Sequence, residues 1–176
     1  MVLVWIPLEY TLSHSTKIDS TTPLGPFGGA GGQQWDDETY NTVRELTIYS
    51  GYDINFIQVV NDDIEGKPVS RKKHGGDSGQ PNTVKLDYPI EYLLSISGHY
   101  GYNDNNTLVL RSLTLQSNIK QYGPYGTENG THFITPLAAG KIVGFFGRDG
   151  ARLDSIRAYI KPFQISVGPF GTTRGQ

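Results

Sequence analysis

The chain has 176 residues, a length that suits one domain with its own core. It contains no cysteine, which excludes a disulfide framework and a thiolate metal site. Its net charge of -2 argues against a nucleic-acid binder, which presents a basic face.

Only 36% of residues are hydrophobic, and there are 22 glycines and one methionine. Short runs of Tyr, Thr, Ile and Val are broken by Gly, Asn and Asp, with little helical periodicity. That is the composition of an all-β domain with many turns.

In chain order, Met1 to Leu12 (MVLVWIPLEYTL) comes first. It lacks a basic start and contains Glu9, so it reads as a strand rather than a signal peptide, which favours a cytoplasmic over a secreted protein. No run is long enough to cross a membrane as a helix. Ser13 to Pro23 is polar and reads as a linker or extended arm. The main body opens at Gly25 with GPFGGAGGQQWDD.

Seven strands are predicted after it: Val43–Ser50, Ile54–Asn61, Thr83–Tyr88, Ile90–Gly98, Leu108–Asn118, Lys141–Arg148 and Leu153–Pro162. Their spacing suggests a sandwich, barrel or prism. Alternation puts Val109, Arg111, Leu113 and Leu115 on one face, and Arg111 breaks its apolar character.

A weak repeat runs through these strands. TIYSGYDIN (Thr47–Asn55), SISGHYGYN (Ser95–Asn103) and FFGRDGARLD (Phe145–Asp154) each join a strand to a glycine turn. Gly28–Gly32 is echoed by Gly75–Gly79. Three such units imply three sheets about a pseudo-axis. GPFG recurs at Gly168–Gly171, and that copy reads as the opening of a further, truncated domain or as an unrelated Gly/Pro tail, the first being favoured.

The last turn, Gly150-Ala151-Arg152-Leu153-Asp154, carries a lone acid. Without context it is a turn aspartate with a solvated carboxylate. Context changes this. GPFGGAGGQQWDD, YGPYGTENGTHF (Tyr122–Phe133) and TPLAAGKIVGFFGRDGARLDSIRAYIKP together resemble the jacalin-related lectins, mannose-binding branch, over Leu24 to Pro162.

The resemblance implies a β-prism of three four-stranded antiparallel sheets with pseudo-threefold symmetry. It implies sugar binding without catalysis, metal or cofactor. It divides the chain into an N-terminal arm (1–23), a lectin domain (24–162) and a C-terminal extension (163–176). Carried onto this sequence, it places Gly32, Gly150, Ala151, Arg152 and Asp154 around the sugar. Gly150 shapes the turn. The N–H groups of Ala151 and Arg152 donate to the ring oxygen and O6, and that of Gly32 donates to O3. Asp154 accepts from O4 and O6, because an ionised carboxylate takes two hydroxyl protons in charge-assisted bonds.

Equatorial O4 of mannose or glucose suits this cradle, whereas axial O4 of galactose leaves Asp154 partly unpaired. The galactose branch relies on a cleaved glycine amino terminus, and here Leu24 precedes Gly25. His99 and Tyr100 are expected to wall the site and stack on a second ring. Gly51, Asn55, Gly75 and Gly76 outline at most a weak second site, with Asn55 where a second acid would stand. The expected partners are mannose- or glucose-containing glycans and glycoproteins, with a homo-oligomer or multidomain parent supplying avidity. The rivals are a galactose-binding or broad-specificity lectin and a structural module with a vestigial site.

Other features read as structure. Asp149 and Asp154 could be a glycosidase pair, but both lie in one short turn with no apolar pocket to raise a pKa. His14, His74, His99 and His132 lack metal spacing and read as surface or loop residues. Asp62-Asp63 and Asn103–Asn106 lack the pattern of a calcium loop. Trp5 and Trp35 read as packing residues. Two N-x-S/T sequons, at Asn105 and Asn129, matter only in a secreted chain.

Overall fold

The computed structural model describes residues 20–137 and 139–164. The Met1–Leu12 strand and the Gly168–Gly171 copy lie outside the described residues.

Twelve strands form three four-stranded antiparallel sheets, and no helix occurs among the described residues. Sheet 1 has the order β1-β12-β11-β2, from Thr22–Gly28, Leu153–Lys161, Lys141–Asp149 and Gln33–Asp36. Sheet 2 has the order β5-β4-β3-β6, from Pro68–Gly75, Ile54–Asp62, Val43–Ser50 and Gln80–Lys85. Sheet 3 has the order β10-β7-β8-β9, from Thr131–Ile134, Leu93–Tyr102, Leu108–Ser117 and Gln121–Gly126.

Each sheet is a central hairpin with one strand added on either side. The hairpins turn their apolar residues inward. Leu46, Ile48 and Ile57 of sheet 2 meet Ile96, Leu110, Leu113 and Leu115 of sheet 3, with Ile142, Phe145, Ile156 and Ile160 of sheet 1. Each such side chain, fully buried, contributes about 1.5–3 kcal/mol. This core holds the three hairpins around one axis.

Sheet 1 unites the first and last strands of the domain. Gly28 pairs with Ser155, and Gln33 pairs with Asp149. The glycine-rich opening is thereby brought beside the last hairpin, more than a hundred residues away in sequence.

Several expectations are corrected. The body opens at Thr22, inside the segment read as a linker, because Thr22 and Pro23 pair with Ile160 and Tyr159. The strand read at Thr83–Tyr88 is Gln80–Lys85, and the one read at Ile90–Gly98 is Leu93–Tyr102. A turn at Asp87–Glu91, closed by Glu91 N–H donating to Asp87 O at 2.7 Å, separates them. Arg111 does not break an apolar face. It is the extra residue of a bulge between the pairs His99–Ser112 and Tyr100–Leu110, which resets the alternation. His74 is buried in β5, 2.8 Å from Asp37 and stacked on Trp35, rather than at the surface.

Candidate functional site

The last hairpin places the acid. Asp149 ends β11, Gly150–Arg152 form the turn, and Asp154 is the second residue of β12. Asp154 is therefore a strand residue, only 4% exposed, not a solvated turn aspartate. The expectation that Asp149 and Asp154 share one turn away from any desolvated site is corrected in the same way.

Gly31, Gly32 and Gly150 close over the Asp154 carboxylate. Gly32 sits at φ 59°, and a Cβ there would lie 2.1 Å from the Asp149 carbonyl oxygen and 2.4 Å from Asp154 Oδ2. Only glycine combines that conformation with that approach. Arg148 clasps the loop from β11. Its Nε donates to Gly31 O at 2.7 Å and its Nη2 to Gly32 O at 2.9 Å.

Burial pushes the Asp154 carboxyl above its ordinary value, and the neighbouring Asp149 charge adds to this. Arg148 pulls it back. Among the described residues, none donates a hydrogen bond to the Asp154 carboxylate. Asp149 is different, since its Oδ2 accepts from Gly75 N–H at 2.6 Å.

Asp154 lines a cavity of about 280 Å³. One wall is Gly32 with Gly150, Ala151 and Arg152, as the sequence led us to expect. The other is Asn103, Asn105 and Thr107 from the β7–β8 connection, with Val109 of β8. Asn103 Oδ1 fixes that connection by accepting from the N–H groups of Asn105 and Thr107 at 3.0 Å.

His99 and Tyr100 do not wall this cavity. His99 Nδ1 is 3.1 Å from Ser112 Oγ and its ring contacts His132, while Tyr100 packs against the core near Phe133. The Arg152 guanidinium also turns away, with Nε 3.3 Å from Asp53 Oδ2 and Nη1 3.4 Å from Ser78 Oγ.

The three repeats superpose through their pairing. Asp149 pairs with Leu153, Ser50 with Ile54 and Tyr100 with Leu110. The residues that follow are Asp154, Asn55 and Arg111. Their main-chain carbonyls accept in turn from Gly29, Gly76 and Thr127, each at 2.8 Å. The third connection therefore lies beyond the Tyr100–Leu110 pair, at 103–107, and the Gly98–Tyr102 stretch runs within β7.

The second cradle is also assembled differently from expectation. The glycine facing the Asn55 side chain is Gly79, whose Cβ would lie 2.6 Å from Asn55 Nδ2. Gly75 and Gly76 lie instead over the Asn55 main-chain carbonyl, and Gly51 sits 3.9 Å from Nδ2 by the same measure. Asn55 Nδ2 donates to Ser78 O at 2.8 Å, and its Oδ1 is sealed from solvent without a partner.

Sequence reasoning missed Arg148 and the Asn103–Thr107 wall. Arg148 was visible beside the turn as part of FFGR, but a strand arginine gives no sign that it will reach across to the opening loop. A larger groove of about 540 Å³ runs along sheet 1 beside Trp35, Phe146 and Arg157. Its acid, Asp36, already accepts from Glu38 N–H and the Tyr159 hydroxyl.

Residues 24–159 match the jacalin-like lectin domain. Jacalin-related lectin 3 of Arabidopsis thaliana is 44% identical over 161 residues, covering 90% of this chain and 26% of that relative. The chain thus spans about a quarter of that relative's length. A galactose-specific lectin of Morus indica is 40% identical, covering 76% of this chain and 87% of the relative. Artocarpin, solved in complex with methyl α-mannose, aligns with a TM-score of 0.75 and 36% identity, covering 79% of this chain and 96% of that one.

Proposed function

This chain belongs to the jacalin-like lectin family of non-catalytic carbohydrate-binding proteins, and on that premise we propose that it binds mannose- or glucose-containing glycans at the turn Gly150–Asp154. The observation that carries this reading is the Asp154 carboxylate. It is desolvated, accepts no hydrogen bond from the described residues and opens on a cavity of about 280 Å³. A buried acceptor without a partner is costly until a ligand or water donates to it.

A hexose supplies that chemistry. Two adjacent hydroxyls donate to Oδ1 and Oδ2, while the N–H groups of Gly32, Ala151 and Arg152 donate to the ring and its substituents. Arg148 supports this by holding the Gly31 and Gly32 carbonyls, which orients the loop's N–H groups. Equatorial O4 and O6 meet the carboxylate together, and an axial O4 leaves it half-used. The relative solved with methyl α-mannose supports the same preference.

Hydrolysis is not supported by this site. A glycosidase needs two carboxyl groups flanking the bond. Asp149 is absent from the cavity lining, and its Oδ2 is held by Gly75.

The galactose reading draws on the Morus indica relative. Titration calorimetry with methyl α-mannoside and methyl galactoside, on wild type and Asp154→Ala, separates the two. Mannoside binding near Kd ~1 mM, about 4 kcal/mol, that vanishes in the variant is the expected result. Galactoside binding without mannoside binding would transfer the chain to the rival specificity. Affinity this weak becomes useful only with several sites per particle, so a homo-oligomer or a multidomain parent is part of the proposal.

A further inference from the structure

The turn Gly150–Arg152 has three residues and is closed by a hydrogen bond from Gly150 N–H to Arg152 O at 2.9 Å. Besides its own opening loop at Gly32, it meets the second repeat. Gly75 N–H donates to Asp149 Oδ2 at 2.6 Å, just before the turn. Gly76 lies so close beside it that a Cβ would stand 2.6 Å from the Ala151 carbonyl oxygen. Arg152 reaches into the second repeat's turn, with Nε 3.3 Å from Asp53 Oδ2.

Asp53 is itself fixed. Arg111, from the third repeat, places Nε 2.8 Å from Asp53 Oδ1 and donates from Nη1 to Tyr102 O at 2.7 Å. The Asp53 side chain is 7% exposed, between two guanidinium groups. Asp53 also occupies, in its own turn, the position that Arg152 occupies in the last one. The two equivalent residues carry opposite charge and pair with each other.

We propose that the second repeat serves as a brace for the sugar site, with Asp53 and Gly76 as positioning residues. Asp53 holds the Arg152 side chain and Gly76 holds the Ala151 carbonyl. Together they fix where the N–H groups of Ala151 and Arg152 point. The same contact recurs one step around the axis, where a Cβ on Gly29 would stand 2.2 Å from the Leu108 carbonyl oxygen. Two of the three opening loops thus pack beside the hairpin end of a neighbouring repeat. The second repeat's own side-chain acceptor is closed off, and its loop supports its neighbour instead. This inference rests on the reading of Gly150–Asp154 as the sugar site.

The test compares wild type, Gly76→Ala, Asp53→Asn and Asp154→Ala in the full chain. Methyl α-mannoside affinity is read by calorimetry. The amide resonances of Ala151 and Arg152 are read by NMR without sugar, and melting curves are recorded for each protein. The brace predicts that Gly76→Ala and Asp53→Asn shift both amides and weaken mannoside binding by about fivefold or more while the variants remain folded. Asp53→Glu, which restores the charge, recovers part of the loss.

Wild-type affinity in both brace variants, with Asp154→Ala inactive, overturns the brace and leaves the site reading standing. If Asp154→Ala binds like wild type, the site reading fails instead. The amides then decide alone, and unshifted Ala151 and Arg152 resonances in Gly76→Ala overturn the brace. Should Asp53→Asn fail to fold, Gly76→Ala decides the matter in its place, because Gly76 has an ordinary φ and its obstruction is the Ala151 residue it braces.

Discussion

Asp154 and Asn55 stand at the same place in two copies of one hairpin, exposed to 4% and 5%. Their side chains have opposite fates. The Asp154 carboxylate accepts no hydrogen bond from the described residues and faces a cavity. The Asn55 amide turns inward, donates to Ser78 O and seals its oxygen from solvent. In the third copy Arg111 fills the position and ties down Asp53. The main-chain anchor is the same throughout, since all three carbonyls accept from the opening loop of their own sheet at 2.8 Å. The hairpin is therefore kept for packing, and on the proposed reading one side chain determines whether it also binds. Fold and function separate here at a single residue.

The sharpest way to break the comparison is to make the first copy resemble the second. Asp154→Asn removes the charge and one acceptor while keeping the shape. Hydrogen bonds to charged groups contribute about 1.5–3 kcal/mol each, so mannoside affinity should fall by at least about tenfold. Stability should not fall with it, because a desolvated carboxylate without donors is a cost to the folded state. Equal or higher melting temperature, with binding lost, is the expected pair of results. A variant that loses both together would make Asp154 a strut like Arg111.

The reverse change should be smaller and should act on stability. Asn55→Asp removes the donor to Ser78 O and sets a carboxylate against that carbonyl. Denaturant unfolding should show a loss of about 1–3 kcal/mol. Calorimetric stoichiometry should stay at one sugar per chain. A stoichiometry of two would mean that the second cradle lacked only its charge.

The same contrast explains what could be read from the sequence. The central hairpins were visible because their strands bury apolar side chains, nearly alternating in Val43–Ser50 and as a continuous run in Lys141–Asp149. β1, β2, β5, β9 and β10 gave no such signal. All are sheet edges with largely exposed side chains, and pairing with a neighbour makes them strands. One clue was there in GPYG at Gly123–Gly126, which matches GPFG at Gly25–Gly28 and opens the third sheet's loop.

For the site, the expected Gly32, Gly150, Ala151, Arg152 and Asp154 all line one cavity, and the family motif names them as a group. His99 and Tyr100 were misplaced because the repeat was aligned at Gly98 rather than Gly101. The β7–β8 connection is longer than its two counterparts, so local similarity locked onto the wrong glycine. Asn103 and Asp53 act across sheets and Arg148 acts across a separation of more than a hundred residues within sheet 1, and spacing along the chain carries no trace of such contacts.

The smallest expected effect is a pH dependence whose two parts run in opposite directions. Burial, then the Asp149 charge, raises the Asp154 carboxyl in the sugar-free protein. Two hydroxyl donors stabilise the charged form, so its pKa falls in the complex. Mannoside affinity is then full above the raised value and declines as pH drops through it, earlier than for an ordinary aspartate. In that window binding releases protons, which calorimetry in two buffers of different ionisation enthalpy detects. Stability of the sugar-free protein follows the other sign. A raised folded-state pKa gives a contribution that is fully present below the unfolded value and lost as pH rises through the folded one. The melting temperature of wild type relative to Asp154→Asn should therefore fall as pH rises, over the range in which affinity climbs. Parallel slopes would mean that the carboxylate already has a protein donor, and the distinction between Asp154 and Asn55 would collapse.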